Sequence, residues 1–164
     1  SSFTLDAKML RVYKAPEVSS SKKSRFSIFL AGTIEMGKSV DWQTKLTSEL
    51  MDYDIDVYNP RRESWDNSWK QTISDRPFSE QVNWELDHID LCDVIVFVIQ
   101  GNSKSPISLM ELGYVAKSGK QVLVQCDMDF WRRGNVEIIC DRNNIPLFSD
   151  YSEFKKELHK ILKK

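Results

Sequence analysis

The six residues VIVFVI, Val94 to Ile99, constrain this chain more than any other stretch. All are apolar and all but Phe97 are β-branched, so they read as a strand. A strand with one wet face would alternate apolar and polar side chains. This run does not alternate, so both of its faces are buried. Burial on both faces demands a covering layer on each side, and a strand–helix alternation supplies it. The run is far too short to span a bilayer.

The rest of the chain carries that alternation. FSIFLAG (Phe26 to Gly32) is a β-rich apolar run ending in glycine. WQTKLTSELM sets Trp42, Leu46, Leu50 and Met51 on one helical face. DIDVYNP (Asp54 to Pro60) reads as a strand ending at a turn, and FSEQVNWELDHIDL (Phe78 to Leu91) as a helix. DVIVFVIQG (Asp93 to Gly101) is the most apolar strand and so the central one. SPISLMELGYVAKSGK then opens a helix: Ser105 can cap it, Pro106 suits its first position, and Gly119 closes it. QVLVQCD (Gln121 to Asp127) is a strand, NVEIICDR a short helix, IPLF a short strand and YSEFKKELHKIL a terminal amphipathic helix. The expected fold is α/β: a doubly wound, flavodoxin-like or Rossmann-like parallel sheet of five main strands in the order 2-1-3-4-5, with helices on both faces. Residues 26–164 form that domain. Residues 1–25, which include PEVSSSKKSR, read as a flexible N-terminal segment, in which MLRVY (Met9 to Tyr13) could add a short strand.

The 164 residues are 41% hydrophobic, enough for one domain with a real core. A net charge of −1 gives no reason to expect a nucleic-acid polymer as partner. It leaves small phosphorylated ligands open, because those need only a local basic site. No secretory signal or membrane span is visible. Cys92, Cys126 and Cys140 have no CxxC or metal spacing and read as reduced, buried thiols. These features place the chain in the cytoplasm, with KKSR leaving the nucleus open.

In such a sheet, ligands sit beyond the carboxyl ends of the strands. Four segments emerge there: GTIEMGKS (Gly32 to Ser39), NPRRESWDNSW (Asn59 to Trp69), GNSKSPIS (Gly101 to Ser108) and DMDFWRRGN (Asp127 to Asn135). The substrate-binding candidates are Gly32, Thr33, Asn59, Arg61, Arg62, Trp65, Ser105, Ser108 and Asn135. GTIEMG is neither a Walker loop nor a dinucleotide fingerprint, so a tight turn and a ligand contact both stay open. Arg61 and Arg62 are either a solvated turn or a fork for phosphate or carboxylate. Trp65 and Trp69, four apart, are either a packed pair or a lid on a nucleobase. Ser105 and Ser108 sit at a helix start that attracts anions, although capping alone would explain Ser105. Asn135 reads as the start of the helix after Arg132 and Arg133.

Two carboxylates are out of place. Glu111 lies next to Leu112 and four residues before Val115, in a helix that reads as core-facing. Glu85 lies three residues after Val82 and four before Ile89, on the buried side of its helix. Such a carboxylate is costly unless it is paired or used. Both helices flank the central strand, so the two acids could face one cleft. An ion pair with an arginine is the alternative for each. His88 and His159 are too few and too scattered for a histidine metal site or triad. His88 reads as structural and His159 as exposed.

FLAGTI, YNPRR, QVNWELDHIDLCDVIVFVI and SPISLMELGYVAKSGKQVLV together resemble the nucleoside 2-deoxyribosyltransferase superfamily, from about Phe26 to Cys126 and more loosely to Phe148. NPRR, WEL and SPISLMELG are similar to the transferase-like subgroup of fungi and phages. The superfamily also includes the 2'-deoxynucleoside 5'-phosphate N-hydrolases. The resemblance implies that Glu111, in MELGYVAKSGK, is the nucleophile and Glu85 its partner, where an aspartate is usual. It also implies that Ser105 and Thr33 match phosphate-binding serines of the hydrolase branch. The chain departs from the pattern at Phe29 or Ile28, where a tyrosine orients the nucleophile, and at Glu35, where the hydrolase branch has an arginine. The implied activity is N-glycosidic bond cleavage or base transfer on deoxyribonucleosides or their 5'-monophosphates, through a covalent glycosyl-enzyme. The rival from another class is a catalytically silent nucleotide-binding module of the same fold. A ribonucleotide hydrolase of the cytokinin-activating type shares the fold, but its PGGxGT loop is missing here. No metal or organic cofactor is expected. The expected partners are a small nucleoside or nucleotide and further copies of the chain, as a homodimer or larger homo-oligomer.

Overall fold

The computed structural model of the chain describes residues 10–17, 25–34, 40–62 and 66–164. Its elements run β1 (Arg11–Lys14), β2 (Ser27–Gly32), α1 (Trp42–Glu49), β3 (Asp56–Asn59), α2 (Arg76–Leu91), β4 (Val94–Ile99), α3 (Pro106–Ala116), β5 (Gln121–Cys126), α4 (Arg133–Arg142), β6 (Leu147–Phe148) and α5 (Tyr151–Leu162). The strands form one sheet in the order β1-β3-β2-β4-β5-β6, and every neighbouring pair is parallel.

The unbroken apolar run of β4 lies between β2 and β5, buried along its whole length. Ile95, Phe97 and Ile99 project into one core, and Val94, Val96 and Val98 into the other. The first core is closed by Trp84 and Ile89 of α2, Leu112 and Val115 of α3, and Val136 and Cys140 of α4. The second is closed by Trp42 and Leu46 of α1 and by Phe154 and Leu158 of α5. The fold is therefore three layers, with α2, α3 and α4 on one face and α1 and α5 on the other. Burying a side chain the size of Phe97 contributes about 1.5–3 kcal/mol, whereas an unpaired polar group in its place would cost free energy.

Counted among themselves, β2 to β6 follow the expected 2-1-3-4-5 order. The sheet differs by one further strand at its edge. β1 comes from the N-terminal segment and pairs with β3, Arg11 opposite Asp56 and Lys14 opposite Asn59. The free edge of β3 offers unpaired backbone groups, and β1 satisfies them while Leu10 enters the core.

Aspartates cap three helices. Asp41 accepts from the Thr44 amide, Asp75 from that of Phe78, and Asp150 from those of Ser152 and Glu153. Met51 does not share the buried face of Trp42, Leu46 and Leu50. The helix ends at Glu49 and leaves Met51 exposed. His159 is not solvent-exposed either. Its ring is half-buried, with Nδ1 2.6 Å from the Tyr53 hydroxyl. The three cysteines are buried and unbridged. Among the described residues, no helix is long and apolar enough to cross a membrane.

Candidate functional site

Parallel strands bring the carboxyl ends of β2, β3, β4 and β5 to one edge, so the segments after them share it. β2 and β4 approach closely there. Gly32 has φ +128, and a Cβ on it would stand 2.3 Å from the Val98 carbonyl oxygen. Only glycine fits. The close approach delivers the next residue, Thr33, into the protein interior, where its amide donates to the same Val98 carbonyl.

A cluster of hydroxyls forms around Thr33. Its Oγ1 lies 2.8 Å from Ser105 Oγ and accepts from the Gln100 amide at 2.9 Å. Ser105 Oγ is also 2.9 Å from Ser103 Oγ, which accepts from the Ser105 amide. The capping role expected of Ser105 is absent: its side chain makes no bond to the first turn of α3. Its backbone is left-handed instead, at φ 45. A non-glycine residue held there costs on the order of 1–3 kcal/mol, and such strain is concentrated where a side chain must be aimed. Here it aims the hydroxyl at Thr33 and Ser103 rather than at its own helix. Ser108, one turn into α3, is buried as well.

The two arginines after β3 each reach this region through a glutamine. Asn59 ends β3, and its side chain accepts from the Arg61 amide at 3.0 Å, which fixes the turn. Arg61 Nη1 donates to Gln43 Oε1 at 3.3 Å and lies 3.8 Å from Asp41. Gln43 Nε2 in turn donates to the Thr33 carbonyl, which also accepts from the Trp42 indole. Arg62 Nη1 donates to Gln81 Oε1 at 3.4 Å and stacks over Trp69, 4.6 Å from the ring centroid. Gln81 Nε2 donates to the Pro60 carbonyl at 3.2 Å and to Glu85 Oε2 at 3.3 Å.

Glu85 and Glu111 stand on α2 and α3, which cover the same face of the sheet, near enough for the charge of Glu85 to act on Glu111. Glu111 is only 5% exposed. It has no hydrogen-bond or ion-pair partner among the described residues, so the arginine pairing left open by its sequence position is not made. Burial first, and then the charge of Glu85, push its carboxyl up to about 8. Burial also raises Glu85, to about 7, against the Gln81 amide that favours its ionised form. Two neighbouring carboxyls that repel each other titrate as a pair, so the raised values belong to the two acids together. Among the described residues, Glu85 has a donor in the Gln81 amide and Glu111 has none.

The remaining candidates are placed less centrally. Asn135 does not start its helix. α4 begins at Arg133, and Asn135 is exposed in its first turn. Arg133 is turned back onto the Cys126 carbonyl and Glu137. Trp65 lies outside the described residues, as does Glu35. Trp69 is not in a helix and serves as the platform under Arg62. His88 is buried and stacked on Trp84 at 4.0 Å, a structural placement. Phe29 is fully buried against Trp84 and brings no hydroxyl. Burial pushes the Cys92, Cys126 and Cys140 thiols up to about 12, 11 and 11, so none is a ready nucleophile.

Gln43 and Gln81 are absent from the sequence-derived candidates. For Gln81 the signal was its place four residues before Glu85 on the same helical face. Gln43, a buried polar residue beside Trp42, had no such marker.

A search among curated proteins finds no match. A family model described as nucleoside 2-deoxyribosyltransferase like matches residues 25–130, from the start of β2 through the segment after β5. That stretch holds both carboxylates, both arginines and the hydroxyl cluster. It is well over half of the 164 residues, and the chain belongs to the nucleoside 2-deoxyribosyltransferase-like family.

Proposed function

We propose that the protein breaks the N-glycosidic bond of a deoxyribonucleoside 5'-monophosphate, with Glu111 as nucleophile and Glu85 as acid and base. The observation that carries this reading is the buried Glu111 carboxyl, which feels the charge of Glu85 and has no hydrogen-bond or ion-pair partner among the described residues. A carboxyl kept in such a place is costly unless chemistry uses it. In the reactive form the proton sits on Glu85. Glu111 bonds to the anomeric carbon as the carbon–nitrogen bond breaks, and the departing base takes the proton from Glu85. Water then attacks the anomeric carbon and returns a proton to Glu85, which frees Glu111. A second base in place of water gives transfer.

The phosphate would lie against Thr33, Ser103 and Ser105 at the start of α3, with Arg61 and Arg62 supplying charge. Incubation with a panel of deoxynucleosides and their monophosphates, read as free base by chromatography, tests the reaction. Base release from a monophosphate supports it. No release from any member favours a second reading, a binding module without turnover. Phe29 supports that second reading, because the family position that orients the nucleophile holds no hydroxyl here. In that case monophosphates would still raise the melting temperature.

A further inference from the structure

Gln81 is 3% exposed, and its side chain has no freedom left to spend. Its carbonyl oxygen accepts from Arg62, and its two N–H groups go to the Pro60 carbonyl and the Glu85 carboxylate. A flipped amide would set its oxygen against two other oxygens and its NH₂ against a guanidinium. All three bonds would be lost, so the orientation is fixed by chemistry. Among the described residues, Glu111 receives no comparable donor.

We propose that Gln81, through its bond to Glu85, is the positioning residue that decides which of the two neighbouring carboxyls, Glu85 or Glu111, ionises first. In the resting protein it holds the charge on Glu85 and the proton on Glu111. Arg62 keeps the amide in that orientation. This deepens the reading of Glu111 as nucleophile, on which its functional meaning rests. Attack by Glu111 requires the proton to pass to Glu85, and the donated bond from Gln81 opposes that transfer. An anionic substrate that draws Arg62 away from Gln81 Oε1 would loosen the amide and let the proton move. Turnover would then be coupled to the arrival of the phosphate.

Glu85 shares α2 with Gln81, Glu111 comes from α3, and Arg62 from the segment after β3. Arg61, the other arginine there, is engaged by Gln43 and Asp41. His88, one turn beyond Glu85, is stacked on Trp84 with Nδ1 2.7 Å from that residue's carbonyl.

The test is a carboxyl carbon-13 NMR titration of the glutamate-labelled full chain, with the two signals assigned through Glu85→Gln and Glu111→Gln. In the unsubstituted protein Glu85 should lose its proton first. In Gln81→Met, which keeps length and helix propensity but removes the donor, the Glu85 step should move up by about one pH unit or more. Glu111 should take a larger share of the first ionisation. Arg62→Met should produce the same change in smaller measure, and it reports independently if Gln81→Met does not fold. An unchanged order and position of the two steps in whichever variant folds would overturn the proposal. The titration needs no turnover. A shifted order in a protein that releases no base keeps the inference and removes the glycosidase reading. Base release with an unshifted order does the reverse.

Discussion

Glu111→Ala and Glu111→Gln separate a working carboxylate from a structural one. Either should abolish base release, by roughly 10⁴-fold or more if the nucleophile is lost. Neither should cost stability. Glu111 pairs with no arginine among the described residues, so removing it strands no cation. A drop of several degrees in melting temperature would count against the nucleophile. The direction of the pKa shifts gives a second test. Both folded-state values lie above those of an unfolded glutamate, near 4.5, so the folded protein binds more protons than the unfolded one from about pH 4.5 to 8. Stability from these groups is therefore complete below pH 4.5 and is lost as pH rises toward 8, on the order of a few kcal/mol. Glu111→Gln should flatten that decline in a series of thermal melts, because the neutral amide has no proton to lose. Activity should be highest where the pair holds one proton, near neutral to mildly alkaline pH. An acidic optimum would contradict the pairing.

At the scale of elements, the start of α3 is the part where the sequence left two roles open, a cap and an anion contact at Ser105. A capping serine would have lowered helix stability on removal and done little else. Ser105 instead ties α3 to the end of β2 through Thr33 and Ser103. A deoxynucleoside monophosphate should therefore raise the melting temperature more than the matching nucleoside does. Ser105→Ala should shrink that difference while leaving the nucleoside's own shift nearly intact. Equal shifts for both ligands in the unsubstituted protein would remove the phosphate from this edge. The helix start was legible in Ser-Pro followed by apolar spacing. The left-handed Ser105 was not, because it depends on where Thr33 arrives from a strand 72 residues away.

At the scale of the whole molecule, the outer face of α3 is unusual. Ile107, Met110 and Tyr114 stand at helical spacing and are each more than half exposed. They lie on the same short helix as Glu111, turned outward. We propose that this stripe is where copies of the chain meet, in keeping with the expected homo-oligomer. Light scattering at micromolar concentration should give at least twice the chain mass, and Met110→Glu should lower it. A monomer in the unsubstituted protein would reject the association.

The sequence by itself determined the layers of this protein. A short, β-branched apolar run reads as a doubly covered strand, and helical spacing on either side supplies the covers. It also marked Glu111 and Glu85, since a carboxylate on an apolar face is visible from spacing alone. The family was legible in contiguous motifs for the same reason: each lies within one element and its adjoining turn. Tertiary structure alone decided what joins those motifs. The Arg61–Gln43–Thr33 and Arg62–Gln81–Glu85 chains cross from loop to helix between residues far apart in sequence. Hydrogen bonds of that kind leave no period to read. The bond from Gln81 to Glu85 is of the same sort, because it depends on which carboxyl a neighbouring amide can reach once the helices are packed on the sheet.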